Sequence, residues 1–208
     1  MTETMTATKA LVEIKMLDKR INSKISETLF VAVVRGDDKK TIQQVSVEDA
    51  TTEAKSGKQA ISALIDRRNA IKTALVRTNA TAVVIVGGKT YTVAEAIERK
   101  NSICYEECML QAMKQQYATA LQYIEQTNVR VDAEINNILK GIGEGENVKK
   151  SDLATTIATM RKAKEAKLLD PINIKKQIDE LESNIDKFKA EVDTTLSVSN
   201  ATTTITLN

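Results

Sequence analysis

The chain has 208 residues, with 30 Lys and Arg against 28 Asp and Glu, and its net charge of +2 supplies no general attraction to nucleic acid or to an anionic membrane. It contains no His, no Trp, one Pro and two Cys. That excludes the commonest general base, Ser-His and Cys-His nucleophile pairs and a disulfide framework. Few helix breakers and only 3% aromatics describe long helices and coiled coils, not a thick globular core. The polar start from Met1 to Thr8 has no apolar signal-peptide segment, and no apolar run approaches the ~18 residues of a membrane span. The expected location is a reducing cytoplasm, with no cofactor and no metal.

The first helix is expected over Ala7 to Glu27, where Leu11, Ile14, Leu17, Ile21 and Ile25 recur at steps of three and four. Leu29 to Val34 is a β-favouring run, and Arg35-Gly36-Asp37-Asp38 reads as a turn. Its Arg-Gly-Asp triplet is also an integrin-binding spelling, too short to be specific. Ser46 with Asp49 at the capping-box position opens a second helix that runs to about Arg77. Arg68 interrupts that helix's apolar stripe; it either snorkels to solvent or sets register at a seam.

Thr81 to Val86, Gly87-Gly88 and Lys89 to Thr92 form a hairpin signal. Thr92 and Glu95 then make a capping box for a helix from Val93 to Lys140, roughly 70 Å long if continuous. Its heptad pattern is broken by one polar position at Thr127-Asn128. The Gly-rich stretch 141–150 is expected as a flexible loop, with Ser151 capping a fourth helix from Asp152 to Leu169. It has no following Lys-Ser/Thr pair in the right place and no strand before it, as a phosphate loop requires. Asp170-Pro171 opens the last helix, whose stripe Ile174, Ile178, Leu181, Ile185, Phe188, Val192 and Leu196 is the cleanest coiled-coil pattern in the chain.

One stretch occurs twice. Thr78-Asn79-Ala80-Thr81 and Ser199-Asn200-Ala201-Thr202 each close a helix and lead into β-favouring residues. Left-handed Asn residues at these points would end the helices. The shared spelling predicts that the second and fifth helices run parallel, with the third antiparallel to both. The hairpin and the C-terminal strand are then expected to meet in one small sheet. The predicted fold is therefore mainly α: a single elongated domain over 1–208. It is a long antiparallel helical bundle or coiled coil, with a β tip from 78–92 and 199–207 at one end. Its long apolar stripes predict a homo-oligomer.

Arg77-Thr78-Asn79-Ala80-Thr81, followed by Gly88-Lys89-Thr90-Tyr91-Thr92-Val93-Ala94-Glu95-Ala96-Ile97-Glu98-Arg99-Lys100, resembles the small helical bacterial proteins called septicolysins and their phage-encoded relatives. Lys15 to Ile21 and Glu191 to Thr202 resemble them too, so the likeness covers most of the chain in patches. The Gly-rich loop and fourth helix depart from it. The resemblance implies a helical, oligomeric protein of a bacterium or of a phage-infected bacterial host. The family name implies a pore-former, but the sequence has no membrane-inserting amphipathic strands and no aromatic belt.

The candidate ligand-binding residues are Arg77, Asn79, Lys89, Tyr91, Arg99, Asn200 and Thr202, which supply cations, amides, hydroxyls and one ring suited to a nucleotide-like anion. The same residues also serve helix ends and strand surfaces. Cys104 and Cys108 share a helix face, as zinc ligands across an oligomer axis or, in the preferred reading, as buried small hydrophobes. Glu95, Glu98, Glu106 and Glu107 fit a solvated face better than acid-base catalysis.

The expected function is that of a non-enzymatic, phage-encoded oligomer holding a small nucleotide at its β tips and sequestering a signal of host immunity. Its partners are itself and that ligand, without DNA, RNA or membrane. The alternative is a phage virion structural or assembly protein acting through coiled-coil interfaces; an enzyme is the third possibility.

Overall fold

The computed structural model of the chain describes residues 2–141 and 150–207. It is mainly helical, in the order β1 (Glu3–Thr6), α1 (Ala7–Glu27), α2 (Val47–Thr81), β2 (Val83–Val86), β3 (Lys89–Thr92), α3 (Val93–Gly141), α4 (Lys150–Lys164), α5 (Ile174–Thr202) and β4 (Thr204–Leu207). The predicted Gly-rich loop beyond Gly141 lies outside the described residues, and Ser151 falls inside α4 instead of preceding it. The chain divides into two compact units, 1–101 with 188–208, and 102–187.

The first unit corrects the expectation of one small sheet. There are two sheets of two strands each: β2 pairs with β3, and β4 pairs with β1. The hairpin is closed by Gly87 and Gly88 at φ 58° and 73°, the left-handed pair that a type I′ turn requires. The C-terminal strand instead takes the N-terminal segment as partner, in the register Thr6↔Thr204 to Glu3↔Leu207. An isolated strand pair is marginal in water and needs a helix beneath it. Here Ile205 and Leu207 enter a core with Ala7, Ala10, Ile14, Leu17 and Ile21 of α1 and Ile71 and Leu75 of α2.

The order β1-α1-α2-β2 is repeated as β3-α3-α5-β4, with α4 inserted between the two helices of the second copy. The correspondence is residue by residue. Val83↔Thr92 to Val86↔Lys89 matches Thr204↔Thr6 to Leu207↔Glu3. Val93 N–H donates to Ala82 O at 2.8 Å, and Ala7 N–H donates to Thr203 O at 2.9 Å. Thr92 and Thr6 accept the N–H groups of Glu95 and Lys9 as N-caps. Thr81 Oγ1 donates to the carbonyls of Arg77 and Thr78, and Thr202 Oγ1 to those of Val198 and Ser199. Buried Ile71, Leu75, Ile205, Leu207, Ala7, Ala10 and Leu17 have buried counterparts in Val192, Leu196, Val84, Val86, Val93, Ala96 and Ile103.

Helices α1 and α2 run antiparallel. Thr28 lies against Gly57, Asp18 against Arg68 and Glu13 against Arg67. Arg68 pairs with Asp18 at 2.5 Å with its side chain 34% exposed, so its charged head reaches the surface and meets α1 there. Leu29 to Val34 forms no strand; only Val34 makes a bridge, to Thr41, because no neighbouring strand continues the ladder.

In the second unit, Arg161 pairs with Asp132 at 2.6 Å and Lys164 with Glu134, tying α4 to α3. Asn128, the polar break in the heptads, grips the backbone of Ala166: its Nδ2 donates to Ala166 O at 3.2 Å, and Ala166 N–H donates to its Oδ1 at 2.8 Å. The last helix starts at Ile174, later than Asp170-Pro171 predicts, because Asn173 stands in the left-handed region at φ 58°. Asp170 still caps it, accepting Ile174 N–H at 2.8 Å.

Candidate ligand-binding site

The seven sequence-predicted residues all belong to the first unit and are spread over the ends of α2 and α5, the Tyr91–Arg99 cluster, the hairpin turn and the Arg77 groove. Asn79 and Asn200 each sit two residues before a helix ends, half-buried and without positive φ. They therefore do not terminate the helices in the left-handed conformation. Termination falls to the following Thr: Thr81 and Thr202 satisfy the last carbonyls with their hydroxyls, and the β-favouring residues beyond extend.

Tyr91 and Arg99 come together, but with each other. Arg99 Nη1 donates to Tyr91 Oη, and the guanidinium carbon lies 4.4 Å from the centroid of the Phe188 ring and 5.7 Å from that of Tyr91. Tyr91 meets Phe188 edge-on at 5.8 Å and 70°. Phe188 is among the most buried side chains, 1% exposed, so the cluster is a packed cation–π joint between hairpin and α5. In the other copy of the repeat the same positions hold Glu13 and Arg67, an ion pair at 2.9 Å that Glu3 joins. Lys89 is exposed at the start of β3, beside the turn whose Gly87 N–H donates to Glu191 Oε2 at 2.7 Å.

Arg77 stands apart from that cluster. It lines a groove of about 370 Å³ with Ala70, Thr73, Ala74 and Thr78 of α2 and Thr204, Thr206 and Leu207 of β4. The hydroxyls of Thr73, Thr78, Thr204 and Thr206 and the Arg77 guanidinium make no side-chain hydrogen bond or ion pair among the described residues. Such a set offers one guanidinium fork and four groups that can donate or accept, in a site without aromatic lining. Thr73, Thr78, Thr204 and Thr206 were not foreseen from the sequence as site residues. The signal was present: Thr4-Met5-Thr6 with Ala10 repeats Thr90-Tyr91-Thr92 with Ala96, marking 3–6 as a strand able to pair with β4.

Cys104 and Cys108 are both exposed, which corrects the expectation that they are buried. Their helix face at 104–108 is not part of the covered core. Glu95 closes its capping box: it accepts Thr92 N–H at 2.7 Å, which holds its carboxyl below the usual carboxylate value. Glu3 is also held low, first by its hydrogen bond from Arg67. Among the described residues no group of three or more His, Cys, Asp or Glu could hold a metal ion, and no helix is long and apolar enough to cross a membrane.

Neither a family model nor a curated protein nor a solved structure matches this chain.

Proposed function

We propose that the chain is a non-enzymatic binding protein that holds a small phosphate-bearing anion in the Arg77 groove. One observation carries this reading: Arg77 and four threonines line one groove of about 370 Å³, and among the described residues their side chains have no hydrogen-bond or ion-pair partner. Most of these groups are exposed at the groove, so a polar ligand can reach them without displacing an intramolecular partner. Arg binds phosphate through its planar fork, and the hydroxyls suit phosphate oxygens or a sugar. The groove's lining holds no ring to stack a base, so recognition rests on phosphate and ribose. The absence of His from the sequence fits binding without turnover.

The test is a calorimetric titration of the purified chain with AMP and ADP, beside native mass spectrometry for a co-purifying ligand. Arg77→Ala is expected to weaken binding roughly ten-fold or more, and Thr204→Val with Thr206→Val to weaken it further. No binding at millimolar nucleotide, or binding indifferent to all three substitutions, sinks the reading.

A second reading, an assembly protein acting through its own apolar surfaces, is favoured by a separate observation. Val83 and Ile85 on the outer face of β2 are 63% and 64% exposed, whereas the matching positions of β4 carry Thr204 and Thr206. The fold tolerates threonine there, so the apolar choice in β2 serves something outside the unit. The natural occupant is a second copy of the chain, whose near-balanced charge gives little mutual repulsion.

A further inference from the structure

The connection between α1 and α2, residues 28–46, has no regular element, yet it is strapped into a fixed shape. Ile42 N–H donates to Val33 O at 2.9 Å, Thr41 N–H to Val45 O at 2.8 Å, Gln44 N–H to Thr41 O at 2.9 Å and Val47 N–H to Lys39 O at 3.1 Å. Its reversals use left-handed backbone at Gly36 (φ 53°) and Gln44 (φ 64°). Thr41 is 3% exposed, the buried polar residue of the described chain, and its Oγ1 accepts Val45 N–H at 3.2 Å. A solvated linker needs none of this.

The effect of the strapping is to set Arg35, Lys39 and Lys40 around one cavity of about 350 Å³, with Asp38, Thr41, Ile42 and Gln44 completing its wall. None of the three cations makes an ion pair among the described residues, although Arg67 and Arg68 on the neighbouring helix both do. Three like charges around a concavity, offset by the single carboxylate of Asp38, repel one another and focus a positive potential into it. An anion entering the cavity relieves that repulsion and meets a guanidinium fork, two ammonium groups and a fixed backbone.

We propose that this connection is an anion-binding site, separate from the Arg77 groove, that takes a compact polyphosphate group. The charge count favours linked phosphates over a single carboxylate, since three cations against one acid leave an excess of two positive charges on the wall. The wall has one apolar side chain, Ile42, and no ring, so it reads phosphates and not a base. The two sites stand at opposite ends of α2, some 30 residues or about 45 Å apart along the helix.

The experiment is titration of the full chain with pyrophosphate and tripolyphosphate, followed by calorimetry and by ³¹P line broadening, with sulfate as a control. A micromolar binding event at one site is expected, distinct from any weaker event at the Arg77 groove, and it falls roughly ten-fold in Arg35→Ala and further in Lys39→Gln with Lys40→Gln. Arg77→Ala should leave it unchanged. These loop side chains are exposed, so the variants are expected to keep the parent's circular dichroism. The proposal is overturned by no binding at millimolar tripolyphosphate, by sulfate binding equally well, or by a loss that follows Arg77→Ala and not the loop variants. Because each site has its own substitutions, failure here leaves the Arg77 reading standing, and the reverse.

Discussion

At the scale of single residues, Gly57 shows how packing overrides helix propensity. Glycine in a helix interior costs about 1 kcal/mol relative to alanine. Yet a Cβ on Gly57 would lie 2.5 Å from Thr28 Cγ2 and 3.0 Å from its Oγ1. Thr28 cannot readily turn aside, because its Oγ1 donates to Lys24 O at 2.7 Å and its backbone N–H caps α1. Gly57→Ala is therefore expected to destabilise the fold by about 1 kcal/mol or more, as overpacking usually does. With Thr28→Ala already in place, the same change should stabilise. Urea denaturation of the four proteins reads the reversal of sign, and a stabilising Gly57→Ala in the native background would exclude the Thr28 contact as its cause.

Glu95 gives a pH prediction at the same scale. Its folded carboxyl titrates below its ordinary value of 4.5 because Thr92 N–H donates to it. A depressed carboxyl contributes stability that is complete above the unfolded value and is lost as pH falls through the folded one. The melting-temperature difference between the parent chain and Glu95→Ala should accordingly be largest near neutral pH and shrink under acid conditions. A difference constant from neutral to acid would show that the charge plays no part.

At the scale of elements, the two copies of the repeat act as controls for each other. Thr92 caps α3 with a reciprocal bond: Glu95 N–H donates to its Oγ1 at 3.1 Å and Glu95 accepts Thr92 N–H. Thr6 caps α1 through a longer bond, 3.3 Å from Lys9 N, and Lys9 cannot return it. Both Thr→Ala changes remove an N-cap, worth about 1 kcal/mol. Thr92→Ala is expected to be the costlier, and equal or inverted losses in chemical denaturation would count against the capping account. The same comparison explains Phe188. Where the first copy joins its helices by Arg67 and Glu13, the second uses an aromatic ring beneath Arg99. One backbone position thus accepts either an ion pair or a cation–π contact.

At the scale of the whole molecule, exposed large hydrophobic side chains outnumber buried ones among the described residues. Scattered apolar exposure is ordinary in soluble proteins, but Val83 and Ile85 lie together on one strand face whose counterpart is polar. Val83→Thr with Ile85→Thr copies Thr204 and Thr206 and should leave the fold intact. If this face meets a second copy, sedimentation analysis will show the parent chain associating and the double variant shifted towards monomer. A monomeric parent chain, or an association that the double variant leaves unaltered, would remove this face from the assembly reading.

Much of the local structure was legible because its causes are local. The span of α1, the Gly87-Gly88 hairpin, the Thr92-Glu95 box and the start of α2 at Ser46 follow from apolar spacing, turn glycines and capping hydroxyls within a few residues of each other. The repeated Thr-Asn-Ala-Thr and Ser-Asn-Ala-Thr endings were legible too, as two helices that stop alike. What the sequence by itself did not determine was the partner of each strand. A two-stranded ladder gains its stability from the helix beneath it, so pairing is chosen by which apolar faces are brought together, not by the strand's own spelling. Tertiary packing assigned β4 to β1 and left the hairpin to itself. It thereby separated Arg77 from Tyr91 and Arg99, and turned one expected site into a polar groove and a packed aromatic joint.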